Sequence, residues 1–151
     1  MKILGLDPGF ERLGWAVVEK DAHKFSLLTA DVIHTPKTEN IPSRLLLLGT
    51  ALEKVLQEFN PQFAIIESLF FATNAKTAIN VAQARGVIVY LCMKNGIEVI
   101  EKTPLQIKSA VTGDGHADKK AIEKMVRLQI KDIPSTLLDD AIDAIAAALS
   151  I

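Results

Sequence analysis

The sequence contains a single cysteine, Cys92, among 151 residues. No disulfide can therefore form within the chain, and a reducing, cytoplasmic setting is expected. No apolar run approaches the ~20 residues that a membrane-crossing helix needs. Met1-Lys2 leads directly into Ile3-Leu4-Gly5-Leu6, so no secretory leader is expected. Internal repeats, low-complexity tracts and Pro/Gly-rich linkers are also missing, and a single domain over residues 1–151 is expected. A large charge excess of one sign is lacking too. The formal net charge is −1, which does not by itself suggest a nucleic-acid partner.

What is present is the composition of a globular α/β chain: 49% hydrophobic and 23% charged residues. The charges are segregated. Between Phe70 and Lys131 stand ten Lys/Arg and five Asp/Glu, whereas the flanking segments carry seven and thirteen. A domain that gathers acids around metal ions and bases elsewhere can bind phosphates at near-neutral net charge.

The first third reads as three strands, Lys2–Asp7, Leu13–Glu19 and Phe25–His34, joined by short turns as in an antiparallel meander. Pro42-Ser43 opens a helix that runs to about Phe59, with leucines and Val55 at helical spacing. Phe63-Ala64-Ile65-Ile66 lacks polar alternation, as expected of a parallel strand buried on both faces, and it ends on Glu67. A helix from about Asn74 to Lys94 stops at Asn95-Gly96, and Ile97–Ile100 is a fifth strand. Thr103-Pro104-Leu105-Gln106 combines an N-cap, a proline at the first helical position and a capping-box glutamine. Two further helices are expected, from about Asp118 to Lys131 and from about Thr136 to Leu149. The order β-β-β-α-β-α-β-α-α-α predicts a mixed five-stranded sheet, three antiparallel strands and then parallel ones, with helices on both faces. It resembles the RNase H-like fold.

Asp7 and Glu67 each follow an apolar strand, at the point where it leaves the core. A carboxylate there is partly desolvated, which is costly unless it is paired or bound to a cation. Asp140 and Asp143 share a face of the last helix at i, i+3, among Ala141, Ile142, Ala144, Ile145 and Ala148. Oxygen-only ligands favour Mg²⁺ or Mn²⁺ over zinc. Two such ions about 3.5–4 Å apart can clamp the attacking and leaving oxygens of a phosphodiester displacement. Each acid alone has a simpler use: Asp7 before Pro8-Gly9 can shape a turn, and Asp139 or Asp140 can serve a helix N-terminal dipole. Four in this strand order point to a metal site.

Several segments resemble the RuvC family of Holliday-junction resolvases. They are Leu6-Asp7-Pro8-Gly9 with Gly14, then Ile66-Glu67-Ser68-Leu69-Phe70 with Asn74-Ala75, and then Gln83-Ala84-Arg85-Gly86. Gln106-Ile107-Lys108, Val111-Thr112-Gly113, Ala117-Asp118-Lys119 and Asp140-Ala141-Ile142-Asp143-Ala144 complete the series in order along the chain. The resemblance implies a Mg²⁺-dependent endodeoxyribonuclease, with two ions per site and Mn²⁺ as a substitute. It implies a homodimer that nicks two opposed strands of a four-way junction symmetrically, in recombination and repair, working with the RuvA–RuvB branch-migration motor. Asp7, Glu67, Asp140 and Asp143 match the family's catalytic, metal-binding positions; Asp139 is a rival for the third place.

Lys108 and Lys119 match basic positions near the scissile phosphate, where an ammonium neutralises charge in the transition state. Phe70 matches a position that stacks on an unpaired base, and of the adjacent pair Phe70 and Phe71 one can join the core while the other projects. Lys76, Arg85, Lys120, Lys124 and Arg127 are expected among the DNA contacts, with Lys108 and Lys119. The small residues Ala75, Ala78, Ala82 and Gly86 suit either a dimer contact or packing within the chain. Three rivals share parts of this pattern: a sugar-kinase or actin-like ATPase, another RNase H-like nuclease (an RNA–DNA hybrid cutter or a YqgF-type protein), and a non-catalytic junction binder.

Overall fold

In a computed structural model of the chain, residues 1–22, 24–68 and 75–151 are described, with side chains of the last segment from residue 78 onward. The elements run β1 (Lys2–Pro8), β2 (Arg12–Asp21), β3 (Lys24–His34), α1 (Ile41–Phe59), β4 (Phe63–Glu67) and α2 (Ala75–Lys94). They continue with β5 (Glu98–Lys102), α3 (Pro104–Thr112), α4 (Lys119–Gln129) and α5 (Asp139–Leu149). The sheet order is β3-β2-β1-β4-β5. β1–β2 and β2–β3 are antiparallel, β1–β4 and β4–β5 parallel. This is the mixed sheet expected from the sequence.

Alternation along the strands divides the core in two. Leu4, Leu6, Ala64 and Ile66 pack toward α1 and α2 with Leu48, Leu52, Ile88 and Leu91. Ile3 and Ile65 point the other way and meet α3, α4 and α5 through Ile107, Val126 and Ile145. Each fully buried Leu or Ile contributes roughly 1.5–3 kcal/mol against exposure, so both helical layers are firmly held.

α5 lies closest to the sheet. All its residues from Ala141 to Leu149 are buried except Asp143, because the helix is enclosed by β1 and β2 on one side and α3 and α4 on the other. Two glycines permit this approach. A Cβ at Gly5 would overlap the Ala144 carbonyl oxygen, and one at Gly14 would overlap that of Asp140.

β2 continues to Asp21 and β5 to Lys102, each two residues further than expected, and two helix boundaries also differ from the periodicity. α5 begins at Asp139 rather than Thr136, since Pro134 starts a turn and Leu138 is extended (φ −69°, ψ 153°). α4 ends at Gln129 because Ile130 turns extended and buries its side chain. The capping box opening α3 is formed in both directions, Gln106 N to Thr103 Oγ1 at 3.1 Å and Thr103 N to Gln106 Oε1 at 2.8 Å.

Candidate active site

β1 and β4 run side by side in parallel register, Gly5 beside Ile65 and Leu6 beside Ile66. Asp7 has the parity of Ile3 and Gly5, and Glu67 that of Ile65. Both carboxylates therefore project from adjacent strand ends toward α5. α5 presents Asp140 in its first turn and Asp143 one turn later. Asp7, Glu67 and Asp143 line one cavity of about 210 Å³ with Lys108 of α3 and Lys119 of α4.

The charges are strongly coupled. Burial, reinforced by the negative charges of Glu67, Asp143 and Asp140, raises the Asp7 pKa to about 7, with Lys119 opposing. Glu67 is raised by burial and by Asp143, against Lys108. Asp143 is also raised by burial, while Lys119 works against that shift. Burial acts to lower Lys119, but Asp139 and Asp143 outweigh it and hold this ammonium above its ordinary range. Mutual repulsion of carboxylates at the end of an apolar core is what a bound cation relieves.

Two basic side chains face the acids of α5. Arg12 Nη1 lies 3.4 Å from Asp140 Oδ2. Lys119 Nζ lies 3.1 Å from Asp139 Oδ2 and 3.5 Å from Asp143 Oδ2. Among the described residues no three His, Cys, Asp or Glu side chains converge on one point at ligand distance; Asp140 and Asp143 are turned to these cations instead. The donor set, carboxylate oxygens alone, fits a hard divalent ion. Asp139 and Asp140 separate by exposure, 76% against 22% for their side chains. The negative charge of Asp140 adds to the crowding at Asp7, while the cavity lining itself includes Asp143 and neither Asp139 nor Asp140.

The basic residues divide. Lys108 is half-buried in the cavity wall, while Lys120 and Lys124 are exposed along α4 beyond Lys119. Arg127 is partly committed elsewhere. Its Nε is 3.0 Å from Glu123 Oε1, and its Nη1 donates to the Ile133 carbonyl at 3.1 Å. Arg85 departs furthest from a phosphate contact. Its side chain, 14% exposed, turns inward, donating to the Glu67 carbonyl and pairing with Glu101. Phe70 and Phe71 lie outside the described residues, as does the side chain of Lys76. Exposed His116 is removed from the cavity lining.

Three positions escaped the sequence reading. Arg12 carries no motif of its own, and only the antiparallel register brings it to Asp140. Buried Arg44 bonds through Nε and Nη2 to Thr35 Oγ1 at 3.1 and 3.0 Å, donates to the Phe10 carbonyl at 3.4 Å, and stacks 3.9 Å over the Phe10 ring. It thereby pins the β1–β2 turn that follows Asp7. Lys102 donates to the Ser150 carbonyl and so ties β5 to the end of α5. A helical arginine or a strand-end lysine gives no sequence signal for such a partner.

A family model described as "Crossover junction endodeoxyribonuclease RuvC" matches residues 3–151. The protein of that name from Petrotoga mobilis is 42% identical over 148 residues, 98% of this chain and 91% of that one. Its counterpart from Thermosipho melanesiensis is 44% identical over 150 residues, 98% and 94% of the two chains. Among solved structures, T. thermophilus RuvC in complex with a Holliday junction substrate superposes with a TM-score of 0.93 at 32% identity, covering 99% of this chain and 92% of that one. The yeast mitochondrial Holliday junction resolvase Ydc2 shares the fold, with a TM-score of 0.71 at 15% identity over 98% of this chain and 76% of its own.

Proposed function

The chain belongs to the crossover junction endodeoxyribonuclease RuvC family, and on that premise we propose that Asp7, Glu67, Asp140 and Asp143 form the metal-binding centre with which it cuts DNA. It is a hydrolase of the RNase H-like fold and a Holliday junction resolvase of recombination and repair. RuvC-family nucleases depend on divalent metals. The observation that carries the site assignment is geometric: Asp7, Glu67 and Asp143 line one cavity with Lys108 and Lys119, and the crowding there raises the Asp7 pKa to about 7.

Asp7, Glu67, Asp140 and Asp143 would hold two Mg²⁺ ions, or Mn²⁺ in their place, which would supply Lewis-acid stabilisation of the attacking and leaving oxygens. The protein's part is geometric and electrostatic. Parallel strand ends fix Asp7 and Glu67, and α5 brings the remaining oxygens from above. Lys108 and Lys119, both in the lining of the cavity, offset the negative charge that develops on the phosphate as water attacks in line with the departing 3′ oxygen. The nicks leave 5′-phosphate and 3′-hydroxyl ends. Lys120 and Lys124 continue the positive edge along α4 and hold the flanking backbone without regard to sequence.

Symmetric cutting of two opposed strands needs two active sites, and we assign the dimer contact to α2. Its outward side carries Ile79, Ala82, Gly86, Tyr90 and Met93, with Ile79, Tyr90 and Met93 each at least 60% exposed. Steps of three and four residues make this a continuous apolar seam of the kind that pairs two helices. The dimer acts in the cytoplasm together with the RuvA–RuvB branch-migration complex, in keeping with the family. Among the described residues no helix is long and apolar enough to cross a membrane.

A labelled four-way junction incubated with Mg²⁺ or EDTA tests the site. Wild-type protein must cleave only with Mg²⁺. Glu67→Gln must bind the junction and leave it uncut; cleavage by that variant at the wild-type rate would remove Glu67 from the centre.

A further inference from the structure

Arg85 was expected to face DNA, yet its guanidinium lies under the end of β4. Nη1 donates to the carbonyl oxygen of Glu67 at 2.9 Å, and Nη2 stands 2.7 Å from Glu101 Oε1 of β5. The second contact is an ion pair rather than a directed hydrogen bond, since Nη2 finds no acceptor at suitable angles among the described residues. The register explains why the Glu67 carbonyl needs an outside donor. Ser68 N bonds to the Lys102 carbonyl at 2.8 Å, so backbone groups of even-numbered residues here face β5 and those of odd-numbered residues face β1. With Leu6 beside Ile66, the next N–H due to meet the Glu67 carbonyl is that of residue 8. Residue 8 is proline and has none.

We propose that Arg85 is a positioning residue for the metal centre, replacing the missing Pro8 N–H and fixing the Glu67 peptide so that its carboxylate points at Asp7. This rests on the reading of Glu67 as a metal ligand. The Glu67 peptide is then held on both edges, by β5 through Ser68 and by α2 through Arg85. Glu101 in turn keeps the guanidinium from swinging toward solvent. Without Arg85 the end of β4 is free to rotate about its last peptide, and a displacement well under 1 Å at a metal ligand is costly because ligand geometry sets affinity.

The test is Mn²⁺ binding, measured calorimetrically on the full chain, beside junction binding in EDTA and the circular dichroism of each variant. Wild type and Glu67→Gln set the scale. If Glu67→Gln leaves Mn²⁺ binding unchanged, the reading of the centre itself is overturned, and the role of Arg85 with it. With that control in place, Arg85→Met is expected to weaken Mn²⁺ at least ~10-fold with fold and junction affinity retained, and Arg85→Lys to recover part of the loss. Glu101→Gln, a change at a 58%-exposed side chain, is expected to weaken Mn²⁺ about threefold, and it decides the matter if Arg85→Met does not fold. Unchanged Mn²⁺ affinity in Arg85→Met, or in Glu101→Gln where that variant decides, overturns the proposal. So does a loss of junction binding by Arg85→Met with metal binding intact, which would return Arg85 to the DNA surface.

Discussion

Gly14 of β2 meets the backbone carbonyl of Asp140 directly, with no room for a Cβ between them. The same glycine stands opposite Asp7 in the β1–β2 ladder. One hydrogen atom in place of a side chain therefore sets how closely α5, with Asp140 and Asp143, approaches the β1–β2 ladder that holds Asp7. Gly14→Ala is expected to destabilise the protein by about 1–3 kcal/mol through overpacking and to abolish cleavage by lifting the start of α5. Thermal unfolding and junction cleavage, each compared with wild type, check this. Full activity in Gly14→Ala would refute the close-approach account.

Asp7 should work against folding when no cation is bound. Its folded-state pKa is about 7, against 3.8 ordinarily. Below pH 4 both folded and unfolded forms hold the proton and nothing is lost. As the pH rises from about 4 to 7 the unfolded chain ionises first, and stability falls. Above pH 7 the loss is complete, at most about 4 kcal/mol. In EDTA, Asp7→Asn should therefore unfold at a higher temperature than wild type at pH 8, and the gap should close by pH 4. Its cleavage should be lost throughout. Chemical unfolding at several pH values measures the gap, and equal stability at pH 8 would contradict the crowding of charge around Asp7.

Asp139 and Asp140 should behave differently. Asp140→Asn is expected to lower the cleavage rate by more than the ~10–100-fold typical of outer-sphere changes. Asp139→Asn loses only a 76%-exposed partner of Lys119 and should cut within a few-fold of wild type. Single-turnover rates at saturating Mg²⁺ separate the two, and the reverse order would transfer the ligand role to Asp139.

Lys119 spans α4 and α5 at the cavity rim, touching both Asp139 and Asp143. Lys119→Met is expected to slow cleavage roughly 10²-fold while junction binding falls only slightly, since Lys120 and Lys124 remain. The same assay resolves rate from affinity; loss in binding alone would make Lys119 a backbone contact.

Tyr90 is 64% exposed in the apolar seam of α2. Tyr90→Glu should weaken self-association by about 2 kcal/mol or more, ~30-fold in Kd, as read by sedimentation equilibrium. A wild-type protein that sediments as a monomer at micromolar concentration would remove the seam from consideration.

Much of this architecture was legible in the residues. Continuous apolar runs marked β1 and β4 as buried, and the acid at the end of each stood out because carboxylates seldom terminate such strands without a partner. Asp140 and Asp143 were visible by helical spacing. The start of α5 was misplaced by three residues, because leucines at 137 and 138 extend the apolar pattern that Pro134 and the extended Leu138 backbone interrupt. Arg12, Arg44 and the inward turn of Arg85 were not legible, since each depends on a carbonyl or carboxylate delivered by tertiary register. A basic side chain on a helix reads as a surface group until its partner is known.

Cleavage of a labelled synthetic four-way junction, set beside linear duplex and an RNA–DNA hybrid of matching sequence, with Mg²⁺ or EDTA, tests whether the four acids make a metal-dependent junction nuclease. Paired nicks at symmetric positions in the junction alone, appearing only with Mg²⁺ and absent in Asp7→Asn, are the predicted result. Cleavage of the hybrid or the linear duplex in preference to the junction, or junction cleavage that survives EDTA, would contradict it.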